Sequence, residues 1–214
     1  RQAAHLAPLE RTPADRLEIV VADGDSEDRT AGLVAGIAGR DPRVRLLRNP
    51  RLRAAAGLNA AIRDARGGII VRADGHCVLP RDYVSTCVEM LLGGEADIAG
   101  GPVRAVGVGV VGRAIALAMS SPFGVGGASF RWSAGSGGAR AVAHLPFIAC
   151  HRELAERVGL FDERFARNQD DEFSDRVTRA GGRIVMNPRI VVNYRTRATL
   201  HGLWRQYFAY GYWK

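Results

Sequence analysis

Short aliphatic runs alternate with helix-forming segments through the first half of this 214-residue chain. The clearest run, Leu17–Ala22, is rich in β-branched residues and ends in a turn cluster, which is typical of a buried parallel strand. The repeated alternation argues for a doubly wound α/β layer. The predicted strands are Leu17–Ala22, Val44–Leu47, Gly68–Ala73 and Asp97–Val103, and the predicted helices run from Asp28 or Thr30 to Ala38, over Ala54–Ala65 and over Pro80–Leu92.

The second half of the chain differs in composition. Residues Gly100–Ala139 are rich in Gly, Ser and Val, with a helix predicted at Val108–Met119 and a flexible loop at about 120–139. Loops of this length are usually functional lids or disordered linkers. The length suits a single domain over residues 1–214. After the loop we predict a strand near Pro146–Cys150, helices at His151–Val158, Asp170–Ala180 and Ala198–Tyr210, and a strand pair near Arg183–Asn193.

Charge narrows the classes of partner. Thirty basic residues oppose 22 acidic residues, giving a net charge of +8, and every basic residue except Lys214 is Arg. The arginines are spread along the chain, so a nucleic-acid-binding tail is less expected than a basic cleft or a basic face toward anionic lipid. Three scattered cysteines are too few for a disulfide framework or a zinc cluster.

Hydropathy predicts no segment that spans a membrane. The longest uncharged run, Ala114–Phe130, has 17 residues and is interrupted by Ser, Pro and Gly, whereas a spanning helix needs roughly 20 apolar residues. No signal peptide is visible, and the chain opens with Arg1, which is consistent with a natural start further upstream.

Three polar clusters lie where predicted strands end or a predicted helix begins. The first contains Asp23 and Asp25, the second is Asp74-Gly75-His76, and the third is the run Asn168–Glu172. Ligands of doubly wound sheets bind beyond the carboxyl ends of the strands. Each cluster alone also has a local explanation as a turn, a helix N-cap or a set of carboxylates at a helix N-terminus.

The second cluster suggests a metal site. Asp74 and His76 are two residues apart and can place an oxygen and a nitrogen ligand on one cation. Mixed carboxylate and imidazole ligation suits Mn²⁺ or another divalent metal better than an all-oxygen Mg²⁺ site. Such a cation could hold a diphosphate, while a carboxylate on another element takes a proton from an attacking hydroxyl.

Four segments together resemble a known family. In chain order they are DGDSEDRT (23–30), NPRLRAAAGLNAAIRDARG (49–67), RADGH (72–76) and GLFDERFARNQDDEFSDRVTRAGGRIVMNP (159–188). This combination is similar to glycosyltransferase family 2, and the ending at 200–214 resembles its ExoA-like succinoglycan-biosynthesis branch. The resemblance covers the chain from about Arg16 onward. It implies a GT-A fold, which is a Rossmann-like, mixed but mostly parallel sheet flanked by helices.

The resemblance assigns donor-side roles by position. Asp23 matches the family's nucleotide-binding Asp, and Asp25 lies in the same predicted donor-binding turn. Asp74 matches the first Asp of the family's Asp-x-Asp metal motif, where it also serves the donor diphosphate, and His76 replaces the second Asp. The implied cofactor is Mn²⁺ or Mg²⁺.

The resemblance also places the general base in the third cluster. Asp170 matches the Asp of the family's Glu-Asp motif, but Gln169 stands where the family has Glu, so Asp171 remains an alternative. The helix pattern favours Asp170, because it continues the inward face of an apolar stripe at i, i+4 and i+7, formed by Phe173, Val177 and Ala180. Asp171 and Glu172 are then expected to point away from that face, toward solvent or toward Arg residues such as Arg167 and Arg176.

Two departures from the family concern the ends of the chain. Gln206 and Trp213 resemble a Gln-x-x-Arg-Trp motif near the acceptor and diphosphate, but their spacing is longer than in the family. The family's first strand is absent, and Arg1–Leu9 would be the tail of the helix that follows it. We therefore expect a fragment, and the branch implies membrane-associated helices beyond Lys214.

The function implied is inverting transfer of a sugar from a nucleotide diphosphate sugar, with UDP expected, to a hydroxyl of a lipid-linked oligosaccharide or glycan in extracellular polysaccharide biosynthesis. The implied location is cytoplasmic, at the inner face of the plasma membrane, with no nucleic acid involved. Two alternatives remain at this point. One is a nucleotide-sugar-binding module that has lost catalysis, and the other is a basic nucleic-acid-binding protein.

Overall fold

The computed structural model describes residues 16–125, 128–131 and 137–213. The predicted helix tail at Arg1–Leu9 therefore lies outside the described residues. The strands in that part of the chain are β1 Ile19–Asp23, β2 Val44–Arg48, β3 Ile69–Val71, β4 Cys77–Val78, β5 Ile98–Gly100, β6 Val103–Val106, β7 Arg140–Ala141, β8 Ala149–His151, β9 Ile184–Met186 and β10 Val192–Arg195. The helices are α1 Thr30–Ala38, α2 Ala54–Asp64, α3 Tyr83–Leu92, α4 Gly109–Ala118, α5 Pro122–Val125, α6 Arg152–Arg157, α7 Gln169–Arg179 and α8 Leu200–Tyr212.

The strands form three hydrogen-bonded groups with helices packed against them. Strands β1 and β2 pair in parallel, five strands follow in the order β3-β8-β5-β9-β7, and three more in the order β4-β10-β6. The pairs β5–β9 and β6–β10 are parallel, whereas β8, β7 and β4 join their neighbours antiparallel. The longest registers are the parallel ones. This mixed sheet flanked by helices confirms the predicted α/β class.

The core lies between the five-stranded sheet and the helices that cover it. Helix α3 packs on β5 and β8, and α6 packs on β8. The fully buried side chains include Ile98 of β5, Phe173 and Val177 of α7, and Tyr83 of α3. The Tyr83 hydroxyl donates to the Phe147 carbonyl at 2.8 Å, so the one polar atom of this ring is satisfied inside the core. Burial of these apolar side chains is the main stabilising contribution to the fold.

The prediction of one strand over Asp97–Val103 is wrong, because the chain breaks into β5 and β6 at Gly101-Pro102. Pro102 cannot donate to a ladder. A Cβ at Gly101 would overlap the carbonyl of Ile190, so only Gly allows this close approach of two backbones. The break sends β6 to a different set of partners from β5, and β6 pairs with β10.

Two other predictions need correction. The strands near Arg183–Asn193 exist, but they do not pair with each other, since β9 joins β5 and β7 whereas β10 joins β4 and β6. The predicted loop at 120–139 contains a short helix, α5, and a 3₁₀ turn at Ser129–Arg131 among its described residues. Residues 126–127 and 132–136 of that loop lie outside the described part.

Each helix in the described part of the chain is too short or too polar to cross a bilayer.

Candidate functional site

The site is built around Arg72, a charged residue at the end of an otherwise apolar strand. Arg72 follows β3, donates its backbone N–H to the Ile148 carbonyl at 2.8 Å, and is only 6% exposed. Its guanidinium donates two hydrogen bonds to Asp74, Nε to Oδ1 at 3.0 Å and Nη2 to Oδ2 at 3.1 Å. The central carbon of the guanidinium lies 5.7 Å from the centre of the Phe161 ring. This bidentate pair fixes the orientation of the Asp74 carboxylate.

Asp170 reaches the same guanidinium from a distant part of the chain. It lies in the first turn of α7, and its carboxylate acts electrostatically on Arg72. Burial alone would lower the pKa of Arg72, but Asp74 and Asp170 raise it above its ordinary value. Burial raises the pKa of Asp170, with Asp171 and Asp74 acting in the same direction and Arg72 opposing them. The charges of Asp74 and Asp170 therefore both act on one buried cation, which Asp74 alone binds directly among the described residues.

The neighbours of Asp170 on α7 point elsewhere. The Asp171 carboxylate lies 3.6 Å from the Nε2 atom of His144, and Glu172 pairs with Arg176 at 2.5 Å. The direction of Glu172 is as expected, whereas Asp171 faces a histidine rather than solvent or an arginine. Phe173 and Val177 of the predicted stripe are buried, but Ala180 is exposed just beyond the helix end. Among the three consecutive carboxylates, Asp170 is the one whose charge acts on Arg72.

His76 lies on the turn between β3 and β4. Its ring meets the Tyr194 ring edge to face, with centroids 4.9 Å apart. Partial burial lowers the pKa of His76, and Arg197, Arg72 and Arg167 lower it further, while Asp74 opposes them. The imidazole is therefore neutral at pH 7, which is the form that binds metal ions.

The resemblance implies a divalent cation at Asp74 and His76, and the residues present fit it as a two-ligand site. No group of three or more His, Cys, Asp and Glu side chains is placed to hold a metal within the described ranges. Arg72 occupies one lone pair on each Asp74 oxygen, which leaves further lone pairs for a cation. A cation held by two protein ligands needs its remaining ligands from elsewhere, and donor phosphate oxygens are of the right type.

The first polar cluster is held by local partners. Asp23 ends β1, and its carboxylate accepts hydrogen bonds from the Ser26 backbone N–H at 3.0 Å and from the Ser26 hydroxyl at 2.6 Å. Asp25 has a positive φ of 51° and forms a bidentate pair with Arg48 at 2.8 and 2.9 Å. These contacts shape a turn beyond β1 and β2, and none of them reaches the Arg72 group.

Gln206 is buried on the inner face of α8. Its amide nitrogen donates to the Tyr194 hydroxyl at 3.0 Å and to the Tyr210 hydroxyl at 2.7 Å, while Oε1 has no partner among the described residues. Burial raises the pKa of Tyr210, and Asp170 is among the charges that act on it. Gln206 therefore belongs to the same neighbourhood as Asp170.

Trp213 lies apart from Gln206, at the end of α8. Its ring centroid is 6.3 Å from that of Phe165 and 5.5 Å from that of Tyr212. A different residue joins α8 to α7: Asn168, in the left-handed region with a φ of 59°, donates its side-chain amide to the Tyr210 carbonyl at 3.0 Å. The first turn of α7, which carries Asp170, is thus fastened to the C-terminal part of α8.

Sequence reasoning missed several residues that line this site. Arg72 had a signal, because a charged residue two positions before Asp74 must lie on the same face of an extended segment. The others had none, since they come from separate elements: the Arg131 guanidinium lies 5.7 Å from the Tyr194 ring centre, and its Nη1 has no partner in the described structure. The missed residues are Arg72, Arg131, His144, Tyr194 and Tyr210.

Comparison with known proteins identifies first the fold and then the family of this chain. The first is the fold: the structure matches the crystal structure of GalNAc-T7 with UDP, GalNAc and Mn²⁺ at a TM-score of 0.69 and 15% identity, over 92% of this chain and 40% of that one. The fold is therefore that of the GT-A glycosyltransferases. The second is the sequence: the model of the family "Glycosyl transferase family 2" matches residues 4–158. This chain belongs to glycosyltransferase family 2.

Two curated relatives place the chain within the family. Succinoglycan biosynthesis protein ExoA of Rhizobium meliloti (strain 1021) is 35% identical over 199 residues, which is 90% of this chain and 58% of the relative. A dolichyl N-acetyl-alpha-D-glucosaminyl phosphate 3-beta-D-2,3-diacetamido-2,3-dideoxy-beta-D-glucuronosyltransferase of Methanococcus voltae is 23% identical, over 93% of this chain and 63% of the relative. The predicted ExoA-like branch is confirmed, and the chain spans about three fifths of each relative.

Proposed function

We propose that this chain is the catalytic domain of an inverting glycosyltransferase. It moves a sugar from a UDP-linked donor to a hydroxyl of a lipid-linked oligosaccharide or glycan acceptor in extracellular polysaccharide biosynthesis. The observation that carries the proposal is the meeting of the Asp74–His76 turn with Asp170 around the buried Arg72 guanidinium. Membership of the family and the GT-A fold support the reaction class.

Asp170 is the general base in this proposal. Its carboxylate accepts the proton of the acceptor hydroxyl while the hydroxyl oxygen bonds to the anomeric carbon of the donor. The bond from that carbon to the diphosphate oxygen breaks on the opposite side, so a single displacement inverts the configuration. The raised pKa of Asp170 brings it closer to working pH, where a general base is most effective. Asp171 is the alternative base.

Asp23 and Asp25 form the nucleotide side of the proposed donor site. Asp74 and His76 would hold Mn²⁺ or Mg²⁺. A divalent cation bound there supplies positive charge that balances the charge on the departing nucleoside diphosphate. Arg72 keeps Asp74 oriented toward that position through its bidentate hydrogen bonds. Gln206 and Trp213 serve the acceptor and diphosphate side.

The names of the similar proteins support the choice of substrates. ExoA is named for succinoglycan biosynthesis, the Methanococcus voltae enzyme for a dolichyl-phosphate-linked sugar, and the GalNAc-T7 structure contains UDP and Mn²⁺. A lipid-linked acceptor places the reaction at a membrane, and we propose the cytoplasmic face of the plasma membrane, with no nucleic acid as a partner.

The proposal is tested by hydrolysis and transfer assays on the 214-residue chain with a panel of UDP-sugars. We expect turnover with Mn²⁺, loss of turnover in EDTA and loss in Asp74→Ala. His76→Asp should retain part of the activity because it restores an oxygen ligand, and Asp82→Ala, an exposed Asp outside the site, should behave as wild type. UDP binding without turnover under any condition would support the alternative of a binding module. Turnover unchanged both in EDTA and in Asp74→Ala would refute the metal site.

A further inference from the structure

The helix that borders the site also exposes a row of large apolar side chains. Leu200, Trp204, Phe208 and Tyr212 recur every four residues along α8 and are between 62% and 75% exposed. Trp204 and Phe208 stack with ring centroids 5.5 Å apart. We call these four residues the aromatic stripe. A surface helix of a globular protein normally turns such a stripe inward, so this one is shaped for contact with something outside the described chain.

The neighbouring helices extend the apolar surface. Helix α4 contacts α8 and also α5. On these two helices Val110 is 77% exposed, Leu117 is 76% exposed and Phe123 is fully exposed. Helices α8 and α4, which contact each other, therefore both present large apolar side chains to solvent, and so does the short helix α5 that follows α4. Exposed apolar side chains grouped on contacting helices are more typical of a binding surface than scattered single residues are.

Charge identifies the partner. Residues 98–152 and 176–214 contain no Asp or Glu, yet they carry 13 of the 30 basic residues. All 22 acidic residues lie in the rest of the chain. The two acid-free segments are neighbours in space, because β6 pairs with β10 and α4 contacts α8. Some of these arginines pair with acidic residues of other segments, as Arg176 does with Glu172, but the helices that carry the apolar surface contain basic residues and no acidic ones, with Arg205 on α8 and Arg113 on α4.

We propose that α8, with α4 and α5, is an interfacial surface that binds an anionic lipid bilayer. Trp, Phe and Tyr rings enter the boundary between headgroups and acyl chains, while the arginines pair with lipid phosphates. A second copy of this chain is a poorer occupant, because its own α4, α5 and α8 would bring the same arginines and no acidic side chain to pair with them. Anionic lipid supplies the missing charge.

This surface deepens the proposed function at the acceptor. The opposite face of α8 carries Gln206, which bonds Tyr194 and Tyr210, and Asn168 fastens α8 to the turn that carries Asp170. A bilayer against the aromatic stripe would therefore lie one helix away from the proposed base. The delivery of a lipid-linked hydroxyl to Asp170 rests on the proposed transfer reaction, whereas lipid binding by the stripe does not.

The test is sedimentation of the 214-residue chain with vesicles of phosphatidylcholine alone and of phosphatidylcholine mixed with phosphatidylglycerol. We expect binding to the mixed vesicles that weakens as salt rises. The double variant Trp204→Ser/Phe208→Ser should bind at least about tenfold more weakly, since it removes two rings that would be buried in lipid. The matched control is Leu92→Ser, which removes a side chain that is 71% exposed on α3.

Two charge-reversal variants test the contribution of the arginines. Arg205→Glu should weaken binding to the mixed vesicles, and Arg81→Glu, an exposed residue in the acid-containing part of the chain, should not. Equal binding by wild type and the Trp204/Phe208 variant would overturn the proposal. The proposal would also be overturned if wild type formed a dimer, bound no vesicles, and became a monomer in the Trp204/Phe208 variant. Hydrolysis of the UDP-sugar donor without vesicles should be the same in wild type and in the Trp204/Phe208 variant. If wild type showed no hydrolysis, that result would count against the proposed transferase activity and not against the lipid-binding surface.

Discussion

The two carboxylate clusters of this chain are stabilised in different ways. The buried Asp23 is held by Ser26, the exposed Asp25 pairs with Arg48, and hydrogen bonding to Arg48 lowers the pKa of Asp25. Asp74 and Asp170 instead share the buried Arg72, and burial raises the pKa of Asp170. The pKa of Asp25 is thus lowered by one exposed ion pair, whereas the pKa of Asp170 is raised by its burial in the fold. Catalytic proton transfer needs the second kind of environment.

The largest effect is expected when the proposed base, Asp170, is removed. Asp170→Asn should lower turnover by about 10²–10⁴-fold, the usual cost of losing a general base, while UDP affinity stays near wild type. Asp171→Asn should have a milder effect because Asp171 faces His144 rather than Arg72. Steady-state turnover and UDP titration on both variants measure this. A dead Asp171→Asn beside an active Asp170→Asn would move the base by one residue.

A smaller effect is expected on folding when the shared cation is removed. Arg72→Met leaves Asp74 and Asp170 without their common counter-charge, and should lower the free energy of unfolding by about 1–3 kcal/mol. Arg48→Met is the matched change in the exposed cluster and should leave the midpoint of urea denaturation unchanged, because Arg48 and Asp25 are solvent-exposed. If the two variants denature alike, the Arg72 group is hydrated and the contrast between the clusters disappears.

The smallest expected effect is on pH dependence. Asp170 must be ionised to accept a proton, so turnover should fall as pH drops through its raised pKa, and this acid limb should lie above the ordinary range of an Asp. The ionised form of a group whose pKa is raised by folding destabilises the folded state, so Asp170→Asn should melt at a higher temperature than wild type at neutral pH. Arg72 lowers the pKa of Asp170.

Because Arg72 lowers the pKa of Asp170, Arg72→Met should move the acid limb of turnover to still higher pH. The control is Asp25→Asn, whose pH profile should match wild type because Asp25 already stays ionised when the pH falls into that range. An acid limb at the ordinary pKa of Asp, unmoved in Arg72→Met, would contradict the electrostatic link between Arg72 and Asp170.

Local sequence patterns predicted most elements of the fold. The strand at Ile19–Asp23, the helix at Ala54–Asp64 and the helix at Gln169–Arg179 lie within two residues of their predicted bounds. Each has a clear local signal, whether a β-branched run, a helix-forming composition or a cluster of carboxylates at a helix start. The wrong predictions concern elements whose bounds depend on contacts with residues distant in sequence. At Gly101, the close approach to Ile190 splits one apolar run into two strands.

The candidate site divides in the same way. Asp23, Asp74, His76 and Asp170 could be proposed from the sequence because each lies in a polar motif next to a predicted element. The sequence could not show that one buried guanidinium joins Asp74 to Asp170, or that Asp171 turns to His144. Those contacts depend on how β3, α7 and the segment after β7 pack, and residues far apart along the chain meet only when the core closes. Motif chemistry is a local property of the chain, whereas charge state and orientation arise from burial and long-range contacts, which only the tertiary structure decides.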